Sequence, residues 1–169
     1  QHDDQSADLS SLKVMVSAGQ TMPLITRDAL AERIPGAGIH EVYGMTEGFF
    51  TIAIPGDFAL GKRNTVGKAG FLEDIRILSE DDTELPTGEV GEIAVAGDQV
   101  TQSYFNRPDM DALHKLTLEG RPFHRMGDLG YLDSLGRIWF LGRKSQRVRT
   151  PTGDLPADSI EAVALEEQG

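Results

Sequence analysis

The chain has 169 residues, 39% hydrophobic and 25% charged, which is typical of a globular protein rather than a disordered or fibrous one. Its formal net charge of −11 argues against a nucleic-acid surface or an anionic-membrane surface, because either needs clustered Lys and Arg. Without cysteine, the chain can form neither disulfides nor thiolate metal sites. No apolar run approaches the ~20 residues of a membrane span, and residues 1–13 are polar and acidic, unlike a signal peptide, so we expect a cytoplasmic protein.

The first third of the chain has an α/β pattern. Residues 12–16 form a short apolar run before Ser-Ala-Gly, which predicts a buried parallel strand that leads into a glycine-containing loop. A helix is predicted to begin near Pro23, and a second strand is predicted over residues 38–44. This order predicts the end of an α/β parallel-sheet subdomain over residues 1–64.

From about residue 65 the pattern changes to short alternating strands. Ile75 and Ile77 fall on one face of such a strand, and two later strands flank a tight hairpin at Ser-Leu-Gly. A short helix is predicted to begin at Pro108. The predicted fold class is therefore α+β, with a small antiparallel β-barrel subdomain over residues 65–143. Residues 144–169 are predicted to form a hinge and the truncated start of a further domain, which includes an amphipathic helix.

Residues 43–48, Tyr-Gly-Met-Thr-Glu-Gly, allow two explanations. In a nucleotide site, Tyr43 would stack on a base, Gly44 would allow close backbone approach, Thr46 would donate to a phosphate oxygen and Glu47 would bind Mg²⁺. Alternatively, a strand ends here and Thr46 caps a helix whose first turn is acidic. Spacing alone favours the structural explanation.

Asp128 and Arg143 lie at the two feet of the predicted hairpin, which brings residues 15 apart in sequence together. A carboxylate can accept hydrogen bonds from both hydroxyls of a ribose, and an arginine beside it adds a charge-assisted donor. The alternative is a hairpin-foot salt bridge, which contributes about 0–1 kcal/mol if it is exposed. Spacing alone leaves both explanations open.

The remaining candidate sites are weak. The histidines at positions 2, 40, 114 and 124 lack metal-ligand spacing, and we interpret them as structural or solvated. The acidic residues at 80–84 lack the alternation and the glycine of a calcium loop. Neither a dinucleotide-binding glycine motif nor a Walker-type phosphate loop is present in the sequence.

Taken in chain order, six segments resemble the adenylate-forming superfamily of acyl-CoA synthetases, luciferases and peptide-synthetase adenylation domains. They are SAGQTMP, YGMTE, LPTGEVGEIAVAG, VTQSYFNRPD, HRMGDLGYLDSLGRIWFLGRK and GDLPADSIE. The similarity covers residues 12–161. Within the superfamily, the chain is most similar to the fatty-acyl ligases, and HRMGDLGYLD followed by GRIWFLGRK is similar to the β-lactone synthetases of olefin biosynthesis.

This resemblance implies the activation of a carboxylic acid by ATP to an acyl-adenylate. It assigns nucleotide-binding roles for ATP or AMP to Gly19, Tyr43, Gly44, Met45, Thr46, Asp128 and Arg143. Thr46 and Glu47 would be catalytic, with Glu47 as the ligand of Mg²⁺, and Asp128 would hold the ribose hydroxyls. Lys144 would lie at the hinge of the C-terminal domain.

The resemblance also implies which partners to expect. The apolar stretch 48–56 would lie near the acyl pocket and favours a fatty or β-hydroxy fatty acid. CoA, a carrier protein and an internal hydroxyl all remain open as acceptors, and so does the oligomeric state.

The family's Ser/Thr/Gly-rich phosphate loop and the lysine of its C-terminal domain have no counterpart in this sequence. We therefore expect a fragment of a longer enzyme that is inactive alone. The alternatives are a non-catalytic module that binds AMP, ATP or a partner, and a plain structural β-domain.

Overall fold

The computed structural model describes residues 7–58, 65–68, 70, 73–150 and 153–156. Its strands are β1 (Val14–Ala18), β2 (Gly38–Met45), β3 (Phe49–Ala53), β4 (Thr65–Lys68), β5 (Asp74–Leu78), β6 (Gly91–Ala96), β7 (Lys115–Leu118), β8 (Arg121–Leu132), β9 (Arg137–Arg143), β10 (Arg147–Thr150) and β11 (Gly153–Pro156). Its helices are α1 (Leu24–Arg33), α2 (Pro55–Phe58) and α3 (Pro108–His114), and a 3₁₀ turn covers Lys144–Gln146.

Strands β1 to β9 form one mixed sheet in the order β1-β2-β3-β4-β9-β8-β6-β5, with β7 paired to β8. The β1–β2 pair is parallel, as predicted, and the other pairs within this sheet are antiparallel. The α+β class is confirmed, but the closed barrel predicted over residues 65–143 is wrong. Closure would require the free edge of β4, and β3 pairs with that edge instead.

Strand β1 is also less buried than predicted. It lies at one end of the sheet, where Val14 is 57% and Val16 is 61% exposed. An apolar run indicates a strand, but its burial depends on what covers each face, and a local pattern does not contain that information.

The larger of two buried apolar clusters lies on one face of the antiparallel part of the sheet. Ile75 pairs with Val95 and Ile77 with Ile93, so the predicted apolar alternation is confirmed. Ile93 and Ile138 are fully buried, and burial of each such side chain stabilises the fold by about 1.5–3 kcal/mol. The cluster consists of Phe49, Val66, Ile75, Ile77, Ile93, Val95, Val100, Met126 and Ile138.

An ion pair attaches helix α1 to the sheet. The Arg27 guanidinium on α1 lies 2.6 Å from the Glu41 carboxylate on β2, and both residues are buried. The second oxygen of Glu41 accepts a hydrogen bond from the backbone amide of Met22 at 3.3 Å. Glu41 therefore holds the loop between β1 and α1 against β2.

The β8–β9 hairpin is closed by Asp133. Its carboxylate accepts backbone N–H bonds from Leu135 and Arg137, an N–H bond from the Trp139 indole and an ion pair with the Arg137 guanidinium at 2.7 Å. These bonds fix the hairpin register, in which Tyr131 pairs with Trp139. Burial raises the pKa of Asp133, but these hydrogen bonds outweigh burial and lower that pKa far below its usual range.

Other elements differ in how well the sequence predicted them. Helix α3 begins at Pro108 as predicted, whereas β3, β4, β7 and α2 were not predicted. The helix predicted near the C-terminus lies outside the described residues. The predicted domain boundaries, after residue 64 and after residue 143, stay predictions. None of the helices in the described residues combines the length and apolar character of a membrane span.

Replacing Asp133 with Ala tests the hairpin. We expect a loss of roughly 2–4 kcal/mol in the free energy of unfolding, measured by urea denaturation, because the nearly buried Arg137 guanidinium and several N–H groups lose their acceptor. Asp98→Ala is the control, since Asp98 is exposed and should change stability by less than about 0.5 kcal/mol. A similar effect of both variants would contradict this role of Asp133.

Candidate nucleotide-binding site

The hairpin register places Asp128 of β8 opposite Arg143 of β9. Arg143 Nη1 lies 2.8 Å from Asp128 Oδ1 and also donates to the backbone carbonyl of Met126 at 3.2 Å. Tyr43 reaches the same carboxylate from β2, and its hydroxyl donates to Asp128 Oδ2 at 2.6 Å. The two hairpin feet thus meet, as the spacing predicted, and a residue from the first third of the chain joins them.

The exposure of this ion pair is asymmetric. The Asp128 side chain is 3% exposed, whereas the Arg143 side chain is 55% exposed. Burial, together with the Asp128 charge, raises the pKa of Tyr43 well above its ordinary value, so this phenol keeps its proton and remains a donor. A carboxylate offers about four lone-pair positions, so Asp128 can accept from several donors at once.

A cavity of about 390 Å³ adjoins this group. It extends from the loop after β1 to the end of β9 and is lined by Gly19, Gln20, Thr21, Glu41, Val42, Tyr43, Gly44, Val66, Asp128, Phe140, Arg143 and Gln146. The Tyr43 ring lies at an angle to the Phe140 ring, with centroids 5.4 Å apart. An aromatic wall beside a buried carboxylate suits a ligand that has both a flat ring and hydroxyl groups.

Gly44 is required by the sheet as well as by the cavity. A Cβ at this position would lie 2.2 Å from the Phe49 carbonyl oxygen and 2.8 Å from the Phe50 Cα, so any larger residue would separate β2 from β3. Residues 46–48 form the turn between these strands. The alternative in which Thr46 caps a helix is therefore wrong, because a strand follows it.

A second and larger cavity, of about 760 Å³, is lined by all three residues of this turn. It shares Gly19, Val42, Gly44 and Arg143 with the first cavity. Its other lining residues are Ala18, Met45, Thr46, Glu47, Gly48, Phe49, Phe50, Gln99, Tyr104, Met110, His114, His124 and Met126. Because Arg143 lines both cavities, one ligand can contact it from either side.

Glu47 is held as an ionised carboxylate at this second cavity. The Tyr104 hydroxyl donates to Glu47 Oε1 at 2.6 Å. Burial raises the pKa of Glu47, but hydrogen bonds from Tyr104 and from its own backbone amide, with the charge of Lys115, outweigh burial and lower that pKa. Burial and the bond to Glu47 raise the pKa of Tyr104 to about 12.

The residues around Glu47 fit Mg²⁺ that arrives with a nucleotide. The described residues contain no group of three or more carboxylate or histidine side chains that could hold a metal alone. Mg²⁺ commonly binds through one or two carboxylates plus substrate phosphates and water, and the ionised Glu47 beside the Thr46 hydroxyl provides such a donor.

Two histidines that we interpreted from the sequence as structural or solvated also line the second cavity. The His114 and His124 rings are stacked, with centroids 5.7 Å apart, and His114 Nδ1 donates to the Arg125 carbonyl at 3.3 Å. His124 is 3% exposed, and burial lowers its pKa to about 4. One of these histidines ends a helix and the other lies in a strand, so they give no spacing signal, and the sequence did not predict that they meet at a cavity.

The residues assigned from the resemblance therefore divide into two groups. Gly19, Tyr43, Gly44, Asp128 and Arg143 surround the first cavity, whereas Met45, Thr46 and Glu47 line the second. Lys144 does not line either cavity, and its Nζ instead lies 2.8 Å from Glu92 Oε2 on β6. The roles of these residues stay predictions.

The burial of His124 predicts how stability depends on pH. The unfolded state takes up a proton near pH 6.5, but the folded state does so only near pH 4, so acidification across this window destabilises the protein. His124→Phe should remove part of this loss, measured by urea denaturation from pH 7 to pH 4. His114, Lys115, Glu47 and Tyr104 face the ring in both proteins, so the difference between the two curves isolates His124.

Identical slopes for wild type and His124→Phe would contradict the burial of a neutral imidazole at position 124.

Comparison with known proteins identifies the relatives of this chain. A family model described as AMP-binding enzyme matches residues 1–105. The olefin beta-lactone synthetase of Stenotrophomonas maltophilia (strain K279a) is 44% identical over 117 residues, which cover 61% of this chain and 21% of that protein. The 2-succinylbenzoate–CoA ligase of Bacillus mycoides (strain KBAB4) is 34% identical over 157 residues, which cover 92% of this chain and 31% of that protein.

A solved structure with the same fold is the O-succinylbenzoate coenzyme A synthetase of Bacillus subtilis in complex with ATP and magnesium ion. It matches with a TM-score of 0.70 and 30% identity, covering 84% of this chain and 29% of that one. The chain thus spans between about a fifth and a third of the length of these relatives. Because the family model covers more than half of its residues, the chain belongs to the AMP-binding enzyme family.

Proposed function

We propose that this chain forms the nucleotide-binding part of an ATP-dependent ligase that activates a carboxylic acid as an acyl-adenylate. The observation that carries the proposal is the pair of cavities that share Arg143. One contains a buried carboxylate beside an aromatic wall, and the other contains an ionised carboxylate beside a hydroxyl. A nucleoside monophosphate needs the first environment for its nucleoside and the second for its phosphate.

In this proposal the nucleoside occupies the smaller cavity. Asp128 accepts hydrogen bonds from the ribose hydroxyls, while Tyr43 and Arg143 hold the carboxylate in place through bonds of 2.6 and 2.8 Å. The adenine lies between the Gly19 loop and the Tyr43–Gly44 segment. Gly19 has a φ of +89°, a conformation that glycine adopts without strain, and this shapes the loop.

The phosphates extend past Arg143 into the larger cavity. There the substrate carboxylate attacks the α-phosphorus, the bond to the β-phosphate oxygen breaks and pyrophosphate leaves. Thr46 donates to a phosphate oxygen, and Arg143 stabilises negative charge that develops at the phosphorus. Glu47 would hold Mg²⁺, which supplies neutralisation of the phosphate charge when bound.

The lining of the larger cavity favours an acid with an alkyl chain. Its larger apolar side chains are Met45, Phe49, Phe50, Met110 and Met126, and methionine in particular adapts to flexible chains. We therefore propose a fatty or β-hydroxy fatty acid as the substrate. The relatives named above include a β-lactone synthetase and a CoA ligase. We therefore propose an internal hydroxyl or CoA as the acceptor of the acyl group, with a carrier protein as the third candidate. The cytoplasmic location stays a prediction.

A non-catalytic module that binds AMP or ATP is the second candidate. It is favoured by the cavity linings, which include no lysine among the described residues. Such a module would bind AMP with the same residues but would not support exchange of pyrophosphate.

Arg143→Gln tests nucleotide binding by the chain itself. We expect AMP affinity, measured by calorimetry, to fall by about tenfold or more, since a charge-assisted hydrogen bond contributes about 1.5–3 kcal/mol. Arg121→Gln is the matched control, because Arg121 is also a half-exposed arginine paired with an aspartate, but it lies away from both cavities. Equal losses in both variants would show that general charge, rather than this site, attracts the nucleotide.

Exchange of labelled pyrophosphate into ATP tests the catalytic proposal in the full-length protein. Exchange should require a fatty or hydroxy fatty acid and Mg²⁺, and Glu47→Gln should reduce its rate by at least about a hundredfold, because an amide is a poor ligand for Mg²⁺. AMP binding without exchange for any acid in a broad panel would instead support the non-catalytic module.

A further inference from the structure

The buried ring of His124 packs against His114 and Tyr104, but one of its polar atoms has no partner among the described residues. His124 lies in the middle strand of three, with Lys115 of β7 on one side and Val95 of β6 on the other. The ring is 3% exposed, and its Nδ1 is fully enclosed with no hydrogen-bond partner among the described residues. Leaving a buried polar atom unpaired costs about 1–3 kcal/mol, which an apolar residue of similar size would avoid.

The chemical state of the ring follows from this environment. Burial, with the nearby charge of Lys115, lowers the pKa of His124 to about 4, so the imidazole is neutral at physiological pH and has one N–H. A buried N–H without an acceptor is rarer and more costly than an unpaired lone pair. The proton therefore belongs on Nε2, and Nδ1 carries the lone pair.

The surrounding polar groups are already engaged, unlike His124. The Tyr104 hydroxyl donates to Glu47, and the His114 Nδ1 donates to a backbone carbonyl. Lys115 Nζ donates to the backbone carbonyl and hydroxyl of Thr101. His124 makes no such bond among the described residues, although its ring lines the larger cavity beside Met126 and Met110.

We propose that His124 is a specificity-determining residue that donates a hydrogen bond from Nε2 to a hydroxyl group on the acid bound in the larger cavity. This inference rests on the proposed acid-activating function. A hydroxyl suits the position because it is neutral. A second carboxylate would face the ionised Glu47, and an ammonium group would face Lys115. An unsubstituted alkyl chain would leave the N–H unpaired.

The first test compares two acids of equal chain length, one with a hydroxyl near the carboxylate and one without. In pyrophosphate exchange by the full-length wild type, the hydroxy acid should have a KM about tenfold lower at a similar kcat. His124→Phe should abolish this preference without weakening AMP binding, and His124→Gln, which keeps an N–H donor, should restore part of it. His40→Phe, on β2 and outside the cavity, should behave as wild type.

A second readout does not depend on catalysis. In the chain with ¹⁵N-labelled histidine, addition of the hydroxy acid should shift the His124 Nε2 resonance, and addition of the unsubstituted acid should not. This shift without any exchange would preserve the inference and overturn the proposed function. Three results would overturn the inference about His124 but not the proposed function. They are equal KM values for the two acids, a preference for the hydroxy acid that survives in His124→Phe, and equal shifts of the Nε2 resonance with both acids. If pyrophosphate exchange and the resonance shift are both absent, the inference and the proposed function are both overturned.

Discussion

The site depends on the register of the β8–β9 hairpin, which Asp133 fixes. One carboxylate binds two backbone amides, an indole N–H and a nearly buried guanidinium, so the turn has little freedom to slip. A slip of one residue would point every side chain of one strand to the opposite face. With the register fixed at the turn and then shifted by one residue between Leu129 and Gly130, Asp128 lies opposite Arg143 and within reach of Tyr43 from β2. The turn at Asp133 thus helps to position Asp128, which lies five residues earlier in the chain and outside the turn.

Charge balance in the two cavities explains how an acidic chain could bind an acidic ligand. Among the lining residues that the structure describes, the carboxylates of Glu41, Glu47 and Asp128 face the single guanidinium of Arg143. Glu41 is neutralised by Arg27, and Asp128 is buried against Arg143. Glu47 is left as the acidic group nearest the proposed phosphates. In a chain of net charge −11, a divalent cation at Glu47 would convert repulsion into attraction.

The sequence predicted the parts of the site that depend on local chemistry. The meeting of Asp128 with Arg143 followed from hairpin spacing, and the start of α3 followed from Pro108. The sequence did not predict features that depend on contacts between distant parts of the chain. The sheet stays open because β3 pairs with the edge of β4, and no local pattern specifies that partner. The sequence interpretation of His124 as structural or solvated did not predict that its ring lines a cavity, because the rings that pack against it come from a helix and a loop elsewhere in the chain.

The central claim is that Asp128 recognises the hydroxyls of a ribose. Calorimetry with AMP and with 2′,3′-dideoxy-AMP tests it most directly, because the two ligands differ only in those hydroxyls. The wild-type chain should bind AMP at least about tenfold more tightly, and Asp128→Asn, which keeps the shape but not the charge, should bind both ligands with similar affinity. Equal affinities for the wild type would contradict the claim and leave Asp128 and Arg143 as an ion pair that only closes the foot of a hairpin.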